Sequence, residues 1–235
     1  MVAPARVDLS RVPLAPGGSD VSVAVEGQGK RQLSVWMPEG SGPHPLAVFL
    51  HGAGPSDGLV AGVLSCLVEP ALAPLHPIIL APRSTSNGQW WMEADIAYVL
   101  GLVQAAHATW STEPGHDLVL GYSNGGIGAW FFARQYPASF SAAIPMASSD
   151  SIIGATPLPV FAISGTKDEL FPIEDTRRAI AGMKAQGQNV TLLERYRGSH
   201  FKACDYGPEL EAARDWLTAS VWTEPAGPKA APRAQ

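Results

Sequence analysis

Short apolar runs recur along the chain from residue 21 to residue 196, and their spacing sorts the sequence into strands and helices. VSVAVE (21–26) and QLSVWM (32–37) alternate apolar and polar positions. They predict a β-hairpin that turns around Gly27 and Gly29. LAVFL (46–50), IILA (78–81), LVLG (118–121), AAIPM (142–146) and VFAIS (160–164) are nearly continuous apolar runs. Such runs suit strands of a parallel sheet covered on both faces. VTLLERY (190–196) predicts a last strand. Between the runs the period changes. After Met92, apolar residues return at Ile96, Val99, Leu100 and Val103, which is one face of a helix. Helices are also predicted from Asn124 to Gln135 before Pro137, from Ile173 to Gln186 before Gly187, and from Glu209 to Ser220. An opening hairpin followed by βα units gives an α/β fold, with a mostly parallel sheet of about eight strands and helices on both faces.

The ends read differently. Residues 1–19 carry Pro4, Pro13, Pro16 and the Gly17-Gly18 pair, and residues 223–235 are rich in proline and alanine. Both are expected to be flexible tails around one domain spanning 20–222. With 46% hydrophobic and 16% charged residues, the part between them is globular rather than disordered. A net charge of -5 leaves no basic surface for nucleic acid. No window approaches the run of about 18 apolar residues that spans a bilayer. The opening MVAPARVDLSRVPLAPGG lacks the apolar core of a secretory signal, so the expected location is the cytoplasm unless a leader has been removed. The two cysteines, Cys66 and Cys204, cannot make a disulfide framework and form no CxxC pair. They are expected to be free, partly buried thiols.

One stretch carries candidate chemistry. GYSNGG (121–126) follows the strand LVLG and opens the helix at Asn124. A sharp strand–turn–helix junction lifts the Ser123 hydroxyl above the sheet edge and aims the positive end of the helix at it. A serine nucleophile needs a base. Of the six histidines only His200, in YRGSHF, lies beyond Ser123, after the last predicted strand. The base needs an orienting acid. Asp168, in GTKDELFP after VFAIS, is preferred, and Asp150 after AAIPM is the rival. Glu169 is expected to point elsewhere. HGAG (51–54) follows LAVFL, and its Gly52 and Gly54 let the backbone approach a ligand. There the amides of Ala53 and Asn124 can pair as an oxyanion hole. His51 is expected to support that loop rather than act as a base.

In chain order and context, these residues resemble the α/β-hydrolase superfamily. HGAG, GYSNGG, GTKDELFP and GSH are similar to its small carboxylesterases: the phospholipase/carboxylesterase group and the polyhydroxybutyrate-depolymerase-like and feruloyl-esterase-like enzymes. The resemblance covers about 200 residues. It implies Ser123 as nucleophile, His200 as base and then acid, Asp168 as orienting carboxylate, and an acyl-enzyme hydrolysed by water, with no cofactor and no metal. Two features depart from the larger lipases. Ala147 to Pro159 spans only 13 residues, too few for a large lid. NGQWWME (87–93) places Trp90 and Trp91 after IILAPR, at the sheet edge where ligands bind. One of them is expected to face the substrate, with Tyr122 and Phe171 completing the substrate-binding set. The expected activity is hydrolysis of small soluble carboxylic esters. An amidase or peptidase, a thioesterase, and a noncatalytic binding protein of the same fold stay open as alternatives.

Overall fold

The structure is a computed structural model that describes residues 1–54, 56–149 and 156–223. Asp150, with the rest of residues 150–155 in the short 147–159 segment expected to form a minimal cap, and all but the first residue of the expected C-terminal tail lie outside the described residues. Among the described residues, nine strands form a single sheet: β1 (Val7–Asp8), β2 (Gly17–Val25), β3 (Gly29–Met37), β4 (His44–Leu50), β5 (Ile78–Pro82), β6 (Thr112–Tyr122), β7 (Ala142–Met146), β8 (Val160–Gly165) and β9 (Val190–Arg195). Their order across the sheet is β1-β2-β3-β5-β4-β6-β7-β8-β9. The first three strands and β5 pair antiparallel, and every pair from β5–β4 to β8–β9 is parallel.

Period-2 burial on both faces explains the continuous apolar runs. In β4, Leu46, Val48 and Leu50 enter one core while Ala47 and Phe49 enter the other. The first core is closed by α2 (Glu93–Thr109), α3 (Asn124–Gln135) and α4 (Ile173–Ala185). The second is closed by the segment that starts with α1 (Ser56–Val63) and by α5 (Gly207–Trp216). After β4 the chain crosses to β5 on one side. It then returns past β4 to β6 on the other. The carboxyl ends of β4 and β6 therefore flank the switch point, where an open α/β sheet leaves a crevice.

Three expectations are corrected. First, residues 1–19 are not a tail. Val7, Leu9 and Val12 are buried, Glu26 N–H donates to the Arg6 carbonyl, and Ala5 N–H donates to the Ala97 carbonyl, which docks the segment on α2. The prolines and glycines are real chain breakers, but the short apolar spacing between them is enough to add β1 at the sheet edge. Second, 56–75 was not predicted as helical, yet α1 continues into a π turn (Leu64–Val68), an α turn (Glu69–Leu72) and a 3-10 turn (Ala73–Leu75). Pro70 and Pro74 break the periodicity that would have revealed it. Third, Cys66 and Cys204 are joined in a disulfide across 138 residues of sequence. The pairing brings together the π turn and the segment just after His200, two elements whose proximity only the fold creates. Among the described residues, no helix is long and apolar enough to cross a membrane.

The disulfide closes a long loop, and its removal releases chain entropy in the unfolded state. Replacing both cysteines with serine is expected to lower unfolding free energy by about 3–5 kcal/mol. Urea denaturation of the two proteins, with and without reductant, measures this. Reductant should destabilise the parent and leave the variant unchanged.

Candidate active site

The turn after β6 explains where Ser123 stands. Ser123 has φ 58° and ψ −123°, a strained combination for a residue with a side chain. Its N–H donates to the Met146 carbonyl at 3.0 Å and its carbonyl accepts from Ile127 N–H at 3.0 Å, so both sides of the turn are tied down. Glycine is required on either side for lack of space. A Cβ on Gly125 would lie 1.7 Å from the Leu50 carbonyl oxygen, and one on Gly121 would lie 2.1 Å from that of Gly125.

The other two parts come from the far strands. β8 and β9 run parallel with Gly165 opposite Arg195, so the loops leaving them emerge together. Thr166 N–H donates to the Arg195 carbonyl, and Lys167 N–H donates to the Gly198 carbonyl. β6 and β9 are separated by two intervening strands, about 14 Å at the usual strand spacing. The loop after β9 must therefore arch back over the sheet edge to reach Ser123. Tyr122 props it there, its phenol donating to the His200 carbonyl at 2.6 Å. Burial pushes the Tyr122 and Tyr206 phenols far above their ordinary range, so both stay protonated beneath the loop.

The result is a continuous line of hydrogen bonds. His200 Nε2 lies 2.9 Å from Ser123 Oγ, and His200 Nδ1 lies 2.9 Å from Asp168 Oδ2 and 3.1 Å from Oδ1. The carboxylate can only accept, so Nδ1 carries the proton and Nε2 is left to accept the serine hydroxyl. Asp168 is held in turn, because Oδ1 accepts the N–H groups of Leu170 and Phe171 at 2.9 and 2.8 Å. The side chains of His200 and Asp168 are 6% and 1% exposed, which screens the pair from water.

Ala53 lies in the loop that follows β4, and Asn124 is the residue after the serine. A Cβ on Gly52 would lie 3.1 Å from Ser123 Cβ, so the loop after β4 runs directly beside the nucleophile position. Asn124 opens α3, and its N–H belongs to the first turn, whose donors have no partner within the helix. His51 supports the loop and is buried. Its Nε2 accepts Ser84 N–H at 3.0 Å, so its Nδ1 bears the proton given to the Gly52 carbonyl at 2.7 Å. Trp90 does not face a substrate. It is fully buried, and its Nε1–H donates to the His51 carbonyl at 2.9 Å. The indole thus braces the loop after β4 from below, the space left by Gly128 admitting it. Trp91 is 36% exposed and keeps a free face. Tyr122 is buried under His200 and acts through it, whereas Phe171 lies with its ring 5.5 Å from the imidazole at the site margin.

Sequence reasoning missed the support of the loop that follows β4. Asp95, fully buried in α2, accepts from Arg31 at 2.5 Å and from Ser84 Oγ at 2.7 Å. Ser84 Oγ then accepts Ser86 N–H and Gly88 N–H, while Ser84 N–H reaches His51. Asn87, at φ 53°, takes Gly54 N–H on its side-chain oxygen at 2.8 Å. A polar run, RSTSN (83–87), ahead of an acidic residue at the third position of a helix was the available signal. Asp95→Ala would leave the Arg31 charge buried without its carboxylate. It is expected to destabilise the fold by about 3 kcal/mol or more, and Asp95→Asn by less, as read by urea denaturation.

No family model matches the chain. A stretch of 120 residues is 28% identical to an uncharacterized secreted protein of Arthroderma benhamiae, spanning 48% of this chain and 13% of that relative. Solved structures resemble it more fully. The fluorophosphonate-binding serine hydrolase F of Staphylococcus aureus superposes with a TM-score of 0.72 at 14% identity, covering 86% of this chain and 99% of that one. Esterase 2 of Thermogutta terrifontis, bound to propionate, gives 0.68 at 19% identity over 92% and 98%. A thermostable esterase gives 0.67 at 22% identity over 85% of this chain and 62% of that one. With its switch-point sheet and its strained strand–turn–helix junction at Ser123, this chain has the α/β-hydrolase fold that these esterases and serine hydrolases share.

Proposed function

We propose that this protein is a serine hydrolase that cleaves carboxylic esters of small soluble substrates through an acyl-enzyme. The observation that carries the reading is the unbroken line from Ser123 Oγ through His200 to Asp168, with both links at 2.9 Å. The neutral imidazole takes the serine proton as Oγ attacks the ester carbonyl. The buried carboxylate of Asp168 holds the tautomer and stabilises the imidazolium that forms. Charge developing on the carbonyl oxygen meets the amides of Ala53 and Asn124 at the positive end of α3. Collapse expels the alcohol, which leaves with the proton from His200 Nε2. Water then repeats the sequence on the acyl-enzyme.

The neighbours support the chemistry in their own terms, one being a fluorophosphonate-binding serine hydrolase and another an esterase holding propionate. The substrate class rests on the margin of the site. Phe171 offers flat apolar surface there, and the exposed Trp91 of the loop after β5 would extend it on this reading, which suits short acyl or aryl groups. The 13-residue span from Ala147 to Pro159 supplies few residues to cover a long chain. The disulfide favours an oxidising compartment over the cytoplasm, since reducing pools keep cytosolic thiols apart.

Ser123→Ala is expected to keep the fold and lose about 10⁴-fold or more in kcat, with Asp168→Asn falling strongly as well. Circular dichroism and turnover of a p-nitrophenyl ester measure both. A folded Ser123→Ala variant that keeps over a tenth of the activity defeats the assignment. Across acyl groups from acetate to palmitate, kcat/KM should rise by up to about fourfold per methylene and then stop near four carbons. Trp91→Ala should raise KM for aryl esters more than for alkyl esters. A steady rise to palmitate would show a lipase, and faster cleavage of a matched arylamide would show an amidase.

A further inference from the structure

The catalytic imidazole is gripped through its side chain by Asp168, and its own main chain is gripped as well. Glu169, expected from the sequence to point elsewhere, turns back toward the histidine loop. Its carboxylate accepts His200 N–H at 2.8 Å and the Ser199 hydroxyl at 2.8 and 3.1 Å. On the other side of the same residue, Tyr122 donates to the His200 carbonyl at 2.6 Å. One peptide donor and one peptide acceptor of His200 are thus both fixed, and the side chain between them has little freedom to swing away from Ser123.

We propose that Glu169 is a second positioning carboxylate for the reaction, holding His200 by its backbone and placing a negative charge beside the imidazolium that forms during turnover. This role rests on the serine-hydrolase reading of the site. It explains why two acidic residues stand in sequence where one is needed to orient the ring. Asp168 is buried and bonded to the ring, whereas Glu169 is exposed and bonded to the main chain. A freely solvated surface glutamate would make no such contacts. The two hydrogen bonds, the one from His200 N–H foremost, hold its carboxyl below the usual carboxylate range, so it carries its charge at neutral pH. The other ionisable groups around it are Asp168 beside it, His200 across the loop, the protonated Tyr122 and Tyr206 below, and Arg195, which is taken up by Glu209.

Two variants separate the hydrogen bonds from the charge. Glu169→Gln keeps an oxygen that can accept both His200 N–H and Ser199 Oγ–H. Glu169→Ala removes bonds and charge together. In Glu169→Ala, kcat should fall on the order of tenfold while KM stays within about twofold, because the loss is in the placement of His200 and not in binding. In Glu169→Gln, kcat should recover to within about threefold of the parent. The acidic limb of kcat/KM should move to lower pH in both variants, by a few tenths of a unit, since a negative charge that favours the imidazolium is gone and the site is partly screened. If Glu169→Ala does not fold, the limb shift in Glu169→Gln decides. Reaction of each protein with a fluorophosphonate probe keeps the two ideas apart. A parent that does not label at Ser123 overturns the hydrolase reading, and the Glu169 role with it. A parent that labels, with both variants matching it in kcat and in the position of the limb, overturns the Glu169 role alone. An effect confined to KM overturns it too.

Discussion

Everything in the site depends on how closely two strand ends can approach. β4 and β6 are paired with Leu50 opposite Gly121, and the elbow after β6 packs directly on the end of β4. The contact between Gly125 and the Leu50 carbonyl leaves no room for even a methyl group. A larger residue would push α3 away from the sheet. The donors at its first turn would then no longer face the loop from His51 to Gly54. The strained backbone of Ser123 persists because hydrogen bonds to Met146 and Ile127 hold it from both sides. Glycine at two positions and strain at one are thus parts of one packing solution.

Around that contact the molecule is rigidified by polar groups in its interior. Asp95 and Arg31 are nearly inaccessible to water, and Arg31 also stacks over the Tyr98 ring at 4.3 Å. A buried ion pair of this kind contributes little net stability by itself. Its effect is geometric. It fixes Ser84, and Ser84 fixes His51 and the turn containing Gly88, so the loop after β4 is held by a chain of bonds starting in α2. Trp90 completes the support from the apolar side. On the opposite flank, the disulfide joins the π turn to the segment after His200. The two halves of the site are therefore anchored by different means, a hydrogen-bond network on one side and, on the other, the disulfide together with the hydrogen bond from Tyr122.

The strands buried on both faces were legible because a two-sided environment demands uninterrupted apolar residues, as in LAVFL and AAIPM. The helix bounds at Asn124 and Gln135 were legible because a glycine-rich turn and a proline mark them. The edge strand β1 was not, since a two-residue strand has no period to detect. Nor was the helical stretch around Cys66, where prolines interrupt the pattern and a π turn shifts it. Ser123, His200 and Asp168 could be named in advance from the elements they follow. Trp90 and Glu169 could not be placed, because whether a loop side chain turns inward or outward is decided by what lies beneath it.

By itself, the sequence determined the fold class, the order of the chemical groups and the location of the elbow. Hydrophobic period and turn chemistry are local properties, and they survive in one dimension. Tertiary structure alone decided which cysteine meets which element, that the N-terminal segment docks on α2, and that His200 is clamped by Glu169 and Tyr122 as well as Asp168. Each of those facts is a contact between residues distant in sequence. Such contacts follow from strand order and register, which bring the ends of β6, β8 and β9 to one edge and leave a single loop to arch back between them.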